Sequence, residues 1–248
     1  MALLTNLPTR APKDLEKRDV KEKTEALLLR LDECQNRLYA DGKRSVLVIL
    51  QGMDASGKDG VIRKVFGRLN PAGLTLSAFK TPTAEEAAHD FLWRVHHQAP
   101  AKGMIGIFNR SHYEDVLITR VHGWCDDATA RLRFQAINNF EELLAVHNGT
   151  VIFKFYLHIS PEEQKERLQE RIDDPAKRWK YNKGDLAEAE KWEAYRAAYE
   201  DVFSQCGNPP WTIVPADQNW YKEYLITKTL VEGLEALDLQ YPPAPPDA

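Results

Sequence analysis

The residues with the clearest chemical meaning are Gly52, Gly57 and Lys58, which are spaced as G-x-x-x-x-G-K directly after the apolar run 46–50. This pattern predicts a strand, a phosphate-binding loop and a helix. The glycines let successive backbone N–H groups face an anion, and the start of the helix adds positive charge. Lys58 would supply a full charge for a transferred phosphate. The alternative interpretation is an ordinary strand-to-helix turn with a solvated lysine.

The predicted phosphate-binding residues of this loop form a nearly continuous run. They are Gly52, Met53, Ala55, Ser56, Gly57, Lys58 and Asp59. The Ser or Thr that usually follows the lysine and binds Mg²⁺ is Asp59 here, so another oxygen must hold the metal. Asp54 is the first candidate, because Mg²⁺ is typically bound by one or two carboxylates together with phosphate oxygens and water. A role for Asp54 as a simple turn residue is the alternative.

Short apolar runs alternate with helical patterns along the rest of the chain. After the first strand, further strands are predicted at 74–79, 104–108, 151–159 and 211–214, and a helix opens at Thr81-Pro82-Thr83 and ends at His97. Strands that alternate with helices predict an α/β fold, here a parallel five-stranded sheet with helices on both faces. The aromatic residues Trp192, Tyr195, Tyr199 and Phe203 follow helical spacing, which favours a place in the core over stacking on a base.

Ligands of such sheets bind at the carboxyl ends of the strands, so the tip of the third strand is informative. It reads IGIFNRSHYED, with Asn109 and Arg110 at the tip and Glu114 and Asp115 on the following turns. Arg110 suits a phosphate clamp because its planar guanidinium binds oxyanions through two donors. Glu114 and Asp115 are candidates for metal binding or proton acceptance. The alternative is that Glu114 and Asp115 only reflect the usual preference for acidic residues in the first turn of a helix.

A basic segment in an acidic chain predicts a phosphate-facing lid at about 171–188. Its basic residues are Arg171, Lys177, Arg178, Lys180 and Lys183, and only Asp173 and Asp174 oppose them before position 184. Pro175 and Gly184 bracket a stretch that could open and close, and closure would exclude water from the transfer. The alternative is a solvated charged loop.

Composition bounds the class of protein. The chain has 248 residues, of which 43% are hydrophobic and 28% charged, and this suits one large globular domain. A net charge of -4 gives no reason to expect nucleic-acid binding. Three isolated cysteines favour a reducing cytoplasm, and no apolar run predicts a membrane span. We expect an N-terminal extension with an amphipathic helix at 1–40, a phosphate-loop domain at 41–240 and a Pro-rich tail at 241–248.

Six separated blocks resemble type 2 polyphosphate kinases. They are GMDASGKDG, FKTPTAEEAAHDFLWRVH, IGIFNRSHYEDVL, KFYLHISPEEQKERL, DDPAKRWK and WTIVPAD, and the similarity covers 38–237. The resemblance implies a phosphate-loop kinase fold with a helical lid, inorganic polyphosphate as donor, a nucleotide acceptor, Mg²⁺ and a homodimer or homotetramer. On matching positions, the catalytic residues would be Asp54, Lys58, Arg110 and Arg171.

The block FNRSHYE resembles the subtype that accepts both AMP and ADP, whereas members that phosphorylate only ADP tend to read FDRSWYN. This implies that Asn109, Arg110 and Glu114 contact the acceptor nucleotide. The candidate metal ligands are Asp54, from its place in the loop, and Asp115, from its place after the third strand. Two other classes stay open at this point. One is an ATP-dependent nucleotide or small-molecule kinase with the same loop and lid, and the other is a nucleotide-binding protein without catalysis.

Overall fold

The computed structural model describes residues 4–182 and 184–243. Lys183 and the end of the predicted Pro-rich tail, 244–248, lie outside the described residues. The strands are β1 (Ser45–Gln51), β2 (Leu74–Ala78), β3 (Ile105–Asn109), β4 (Thr150–His158) and β5 (Trp211–Pro215). The helices are α1 (Lys17–Asp41), α2 (Lys58–Val61), α3 (Ala84–Ala87), α4 (Trp93–His96), α5 (Ile118–Val121), α6 (Asp127–Asn148), α7 (Pro161–Asp173), α8 (Gly184–Ala189), α9 (Trp192–Gln205) and α10 (Asn219–Glu235).

All five strands pair in parallel, in the order β2-β3-β1-β4-β5. Every residue of the central strand β1 is buried, as expected for a strand covered by helices on both faces. Leu50 pairs with both Asn109 and Phe155, so the ends of β1, β3 and β4 reach the same edge of the sheet. The predicted α/β fold is confirmed, and the loop after β1 lies at this edge.

Two neighbouring residues of β4 show that helices lie on both faces of the sheet. Phe153 packs against Gly233 of α10, where an added Cβ would come within 2.5 Å of its ring. The next side chain, Lys154, points the other way and contacts Glu141 of α6. Because successive side chains of a strand alternate between faces, α10 and α6 cover opposite sides.

Helix α1 packs along α10, and Arg30 of α1 donates to Glu235 of α10 at 2.6 Å. The helix ends at Gly42, which adopts a left-handed φ of 61° and donates its N–H to Leu38. The division at residue 40 into an extension and a kinase domain stays a prediction. No helix among residues 4–182 and 184–243 is long and apolar enough to cross a membrane.

The single helix predicted to end at His97 is wrong, because two short helices occupy this stretch. Thr83 and Glu86 form a reciprocal capping box that starts α3. Asp90 then accepts a hydrogen bond from the N–H of Leu92 at 2.9 Å, and this local bond competes with a continuous helix. The chain turns at Asp90 and resumes as α4.

The turn that follows β3, His112–Val116, is a 3₁₀ helix anchored from below by a buried ionic cluster. Lys154 donates to Glu141 at 2.8 Å and to the Tyr113 hydroxyl at 3.1 Å, and Tyr113 donates to Glu141 at 2.7 Å. His112 also lies 3.2 Å from Glu141. Burial opposes the charge of Glu141, but His112 and Lys154 lower the pKa of its carboxyl. The cluster therefore fixes the turn that carries Glu114.

Candidate active site

The loop between β1 and α2 has the backbone geometry of an anion cradle. Gly52 and Gly57 have φ values of 151° and 95°, and Ala55 is left-handed at 61°. An added Cβ at Gly52 would lie 2.9 Å from the carbonyl oxygen of Leu157, and one at Gly57 would collide with the Lys222 ammonium. Gly52 is therefore required by close approach to backbone as well as by conformation, whereas Gly57 is required mainly by its left-handed φ. Ser56 is buried within the cradle, and its Oγ has no hydrogen-bond partner among the described residues.

Two cations hold the loop carbonyls from behind. Arg167 of α7 donates to the carbonyl oxygens of Ala55 at 3.1 Å and Ser56 at 3.2 Å, and Lys222 of α10 donates to Ser56 at 2.9 Å. Lys222 is 1% exposed, and burial together with Arg167 lowers its pKa to about 7. The Gly52 N–H donates to the Tyr199 hydroxyl and the Ser56 N–H to the Met53 carbonyl oxygen. With the carbonyls of Ala55 and Ser56 held on this side, the other loop N–H groups can face a phosphate on the opposite side.

The Lys58 ammonium lies at the mouth of the loop. It donates to the carbonyl oxygens of Gly52 at 2.7 Å and Met53 at 3.3 Å. Burial and the nearby Arg110 lower the pKa of Lys58 to about 8, against the opposing effect of Asp54. The lysine therefore stays charged at neutral pH, and its position fits the predicted role in phosphate binding.

Arg110 contacts two other predicted site residues, Asp54 and Glu114. Its Nη2 donates to Asp54 Oδ1 at 2.8 Å, and its Nη1 lies 3.4 Å from Glu114 Oε2. Burial opposes the charge, but the carboxylates of Glu114 and Asp54 raise the pKa of Arg110 above its ordinary value. Arg110 has a left-handed φ of 62°, a strained conformation for a residue with a side chain. This geometry turns its guanidinium toward the loop at the carboxyl end of β3.

A second cluster forms at Asp59, the residue that replaces the usual Ser or Thr. Its Oδ1 accepts from the Asn109 amide at 3.0 Å, and its Oδ2 accepts from Lys180 at 3.1 Å. Burial raises the pKa of Asp59, but these two donors outweigh it and the pKa is lowered. Asp59 thus connects the tip of β3 with the predicted lid.

The predicted lid residues differ in where they point. Arg171 donates to Asp185 of α8 at 2.7 Å, and the pKa of Asp185 is raised by burial and by Asp54. Lys180 reaches Asp59 at the loop, as described above. Lys177 instead pairs with Glu170 on its own side of the lid, and Arg178 donates to the carbonyl oxygen of Ile172 at 2.9 Å. Only part of the basic segment is therefore turned toward the phosphate loop.

The two candidate metal ligands lie in different surroundings. Asp54 is partly exposed and lines the cavity beside the loop, where carboxylate oxygens suit Mg²⁺. Asp115 lies 3.7 Å from Arg94, is absent from the cavity lining, and has its pKa raised by burial. No cluster of three His, Cys, Asp or Glu residues suited to a metal occurs in the described parts of the chain. Asp54 thus fits a metal that is completed by phosphate oxygens better than Asp115 does.

The cavity beside the loop is closed on its far side by helices α8 and α9. Its residues from these helices are Glu188, Ala189, Trp192, Tyr195 and Tyr199. Tyr199 is buried in the core, as expected from its helical spacing, but its hydroxyl also accepts from the Gly52 N–H at 3.2 Å. Tyr195 donates to Glu188 at 2.5 Å. The aromatic residues Trp192, Tyr195 and Tyr199 of α9 therefore pack against the core and also line the cavity.

A sequence model of the family described as Polyphosphate kinase 2 (PPK2) matches residues 14–242. This range contains the phosphate loop, the β3 tip and the basic segment. The chain belongs to the polyphosphate kinase 2 family.

The names of similar proteins support the assignment to this family. The chain is 50% identical over 215 residues to an AMP/ADP-polyphosphate phosphotransferase of Meiothermus ruber, covering 86% of this chain and 80% of the relative. It is 42% identical over 231 residues to an ADP-polyphosphate phosphotransferase of Rhodopseudomonas palustris, covering 88% and 80%. The crystal structure of polyphosphate kinase 2 from Arthrobacter aurescens superposes with a TM-score of 0.95 at 44% identity, covering 99% of this chain and 89% of that one.

Some residues of this polyphosphate kinase 2 site escaped the sequence interpretation. Arg167, Gln164 and Lys222 were not predicted, although Gln164 donates to the carbonyl oxygen of Asp54 at 3.0 Å. Lys222 lies in α10, seven positions after β5 ends at Pro215, so the strand-tip rule that led to Asn109 and Arg110 does not select it. Gln164 and Arg167 lie within the block KFYLHISPEEQKERL that carries the family resemblance, and Arg167 pairs with Glu163, four positions earlier, at 2.9 Å.

Proposed function

We propose that this protein transfers phosphoryl groups from inorganic polyphosphate to AMP and ADP, forming ADP and ATP. The observation that carries the proposal is the convergence of Lys58 and Arg110 on the phosphate loop. The names of the relatives from Meiothermus ruber and Rhodopseudomonas palustris support polyphosphate as donor and adenine nucleotides as acceptors. The FNRSHYE block, which resembles the dual-acceptor subtype, supports AMP and ADP together.

In this proposal the donor binds at the loop. Loop N–H groups and Lys58 bind the terminal phosphates, and Lys180 extends positive charge from the lid side. Arg110 stabilises the charge of the moving phosphoryl group, since phosphoryl transfer depends mainly on alignment and on cations around that group. Arg171 has the same role in the proposal and is held by Asp185.

The acceptor lies on the β3 side of the loop, where Asn109, Arg110 and Glu114 contact its phosphates or ribose. Glu114 is oriented by the Gln51 amide, which donates to its Oε1 at 3.1 Å. Two successive transfers convert AMP first to ADP and then to ATP. In each, the acceptor phosphate oxygen forms a bond to the donor's terminal phosphorus, and the shortened polyphosphate leaves with the bridging oxygen.

Mg²⁺ is the metal that this site would use. Asp54 would hold it, with phosphate oxygens and water completing the coordination, and Asp115 is the second candidate. When bound, the ion neutralises charge on the phosphates. The homodimer or homotetramer and the cytoplasmic location are proposed from the family resemblance alone, and sedimentation of the purified protein tests the former.

The deciding experiment incubates the purified protein with AMP, Mg²⁺ and polyphosphate and resolves ADP and ATP over time. We expect ADP to appear first and ATP to follow. Transfer from ATP with indifference to polyphosphate would support an ordinary nucleotide or small-molecule kinase. Nucleotide binding through Lys58 without any turnover would support a non-catalytic binding protein.

A further inference from the structure

A second concave surface lies beside the helix that follows the phosphate loop, between that helix, the start of α1 and the start of α10. We call it the α1–α10 groove, and its volume is about 770 Å³. Its basic residues are Lys17, Lys21, Arg63, Lys64 and Arg68, and its acidic residues are Glu25 and Glu223. The chain as a whole is acidic at -4, so this is a local concentration of positive charge.

Most of this positive charge is not neutralised within the protein. Arg68 pairs with Glu25. The other four basic residues are exposed and form no ion pair within the described part of the chain. Glu223 is partly buried, and burial raises the pKa of its carboxyl against the effect of nearby lysines. The α1–α10 groove therefore presents several free cations on one surface.

The groove adjoins the phosphate loop. Arg63 and Lys64 lie five and six residues beyond Lys58 on the same helical run, which is roughly 8 Å along a helix axis. Lys222, which donates to the Ser56 carbonyl at 2.9 Å, directly precedes Glu223 of the groove. The first turn of α10 thus forms one wall shared by the loop and the groove.

We propose that the α1–α10 groove binds the distal part of a long inorganic polyphosphate whose end reacts at the loop. The proposal rests on the proposed function. A linear polyanion without bases needs only cations at intervals, and the groove offers these on two walls. A single-stranded nucleic acid would also need aromatic residues on which successive bases stack, whereas Trp220 is the one aromatic residue described in the lining.

The test compares two triple variants. The groove variant combines Lys21→Gln, Arg63→Gln and Lys64→Gln. The control combines Lys43→Gln, Lys102→Gln and Arg131→Gln, since these three residues are exposed and lie outside the groove. We expect the groove variant to raise KM for long-chain polyphosphate roughly fivefold, the size expected when several exposed charge contacts are lost. Its kcat, and its KM for chains of a few phosphates, should match those of the wild type and the control.

A direct binding measurement tests the groove independently of whether the protein transfers phosphate. Long-chain polyphosphate is titrated into Lys58→Ala protein with and without the groove substitutions, at low and high salt. Weaker, less salt-dependent binding in the groove variant supports the groove even if the wild type transfers no phosphate. Equal effects on short and long chains, a changed oligomeric state in the groove variant, or tighter binding of single-stranded DNA than of polyphosphate in the groove would overturn it.

Discussion

The Arg110 guanidinium donates to Asp54 Oδ1 at 2.8 Å and thereby joins the tip of β3 to the middle of the phosphate loop. The same guanidinium also lowers the pKa of Lys58. The predicted transition-state cation, the predicted metal ligand and the loop lysine therefore form one electrostatic unit, so a change in any of them alters the charge that the other two present.

Asp54→Asn should abolish most transfer and weaken the response to Mg²⁺. The amide keeps the shape of the side chain but removes the charge that a metal requires, so half-maximal activity should need about tenfold more Mg²⁺ or more. A Mg²⁺ titration of initial rates measures this, with the exposed Asp127→Asn as control. If Asp54→Asn shows the same Mg²⁺ dependence as the wild type, the metal ligand is Asp115 or Glu114 instead.

Lys58→Ala should lower kcat by about a hundredfold or more while leaving the fold intact, because the ammonium contributes charge at the loop and little packing. Steady-state rates together with thermal melting measure both effects. Lys43→Ala, on the surface before β1, is the control. Full turnover in a folded Lys58→Ala protein would contradict the assignment of the loop as the donor site.

Lys180→Gln should raise KM for polyphosphate about two- to fivefold, as expected for one exposed charge contact, and change KM for AMP less. Lys177→Gln is the matched control in the same segment, since Lys177 pairs with Glu170 and does not reach the loop. Added salt should reduce the difference between wild type and Lys180→Gln, because it screens exposed charges. Equal effects of the two substitutions would argue against a directed role for Lys180.

Asn109→Asp should shift the ratio of AMP to ADP turnover toward ADP. The substitution removes the amide donor to Asp59, which lies 3.0 Å away, and places a second carboxylate beside it. Additional negative charge at the β3 tip changes how metal and phosphates are accommodated there. Rates with each acceptor at fixed polyphosphate and Mg²⁺ decide this, and Asn109→Ala should lower both. An unchanged ratio in Asn109→Asp would place acceptor choice elsewhere.

Lys222→Met should change how stability depends on pH. The folded pKa of Lys222 is about 7, below its ordinary value, so between pH 7 and that value the unfolded chain binds an extra proton. Wild-type stability therefore gains from rising pH, by at most about 1.4 kcal/mol per pH unit from this residue. Urea unfolding at pH 7, 8 and 9 measures this. The free energy of unfolding of the wild type should increase with pH relative to that of Lys222→Met. A difference between the two proteins that does not change with pH would contradict the lowered pKa.

The sheet was predictable because its signals are local. Strands buried on both faces are continuous apolar runs, and β1 is buried from Ser45 to Gln51. The predicted strand ends differ from the observed ends by at most one residue. The prediction of one helix that ends at His97 was wrong because the Asp90 carboxylate accepts a hydrogen bond from the Leu92 N–H. This local bond competes with helical hydrogen bonding, and the apolar pattern of the sequence does not reveal it.

The parts of the candidate site that lie in contiguous segments of the chain were predictable. The loop and the β3 tip are contiguous segments, and strand pairing brings them together. Arg167 and Lys222 lie more than a hundred positions from the loop carbonyls that they contact. A cation in a helix usually indicates an exposed face, so only the folded arrangement identifies these two.

The buried pair of Lys154 and Glu141 beneath the β3 turn constrains how this sequence can change over generations. Losing one partner leaves the other charge buried and uncompensated, at a cost of about 3–5 kcal/mol, comparable with the whole stability of many domains. Replacing both with apolar residues of similar volume avoids that cost, but the path to such a sequence passes through a single mutant that hardly folds. We therefore expect the two residues to be retained together among descendants of this chain.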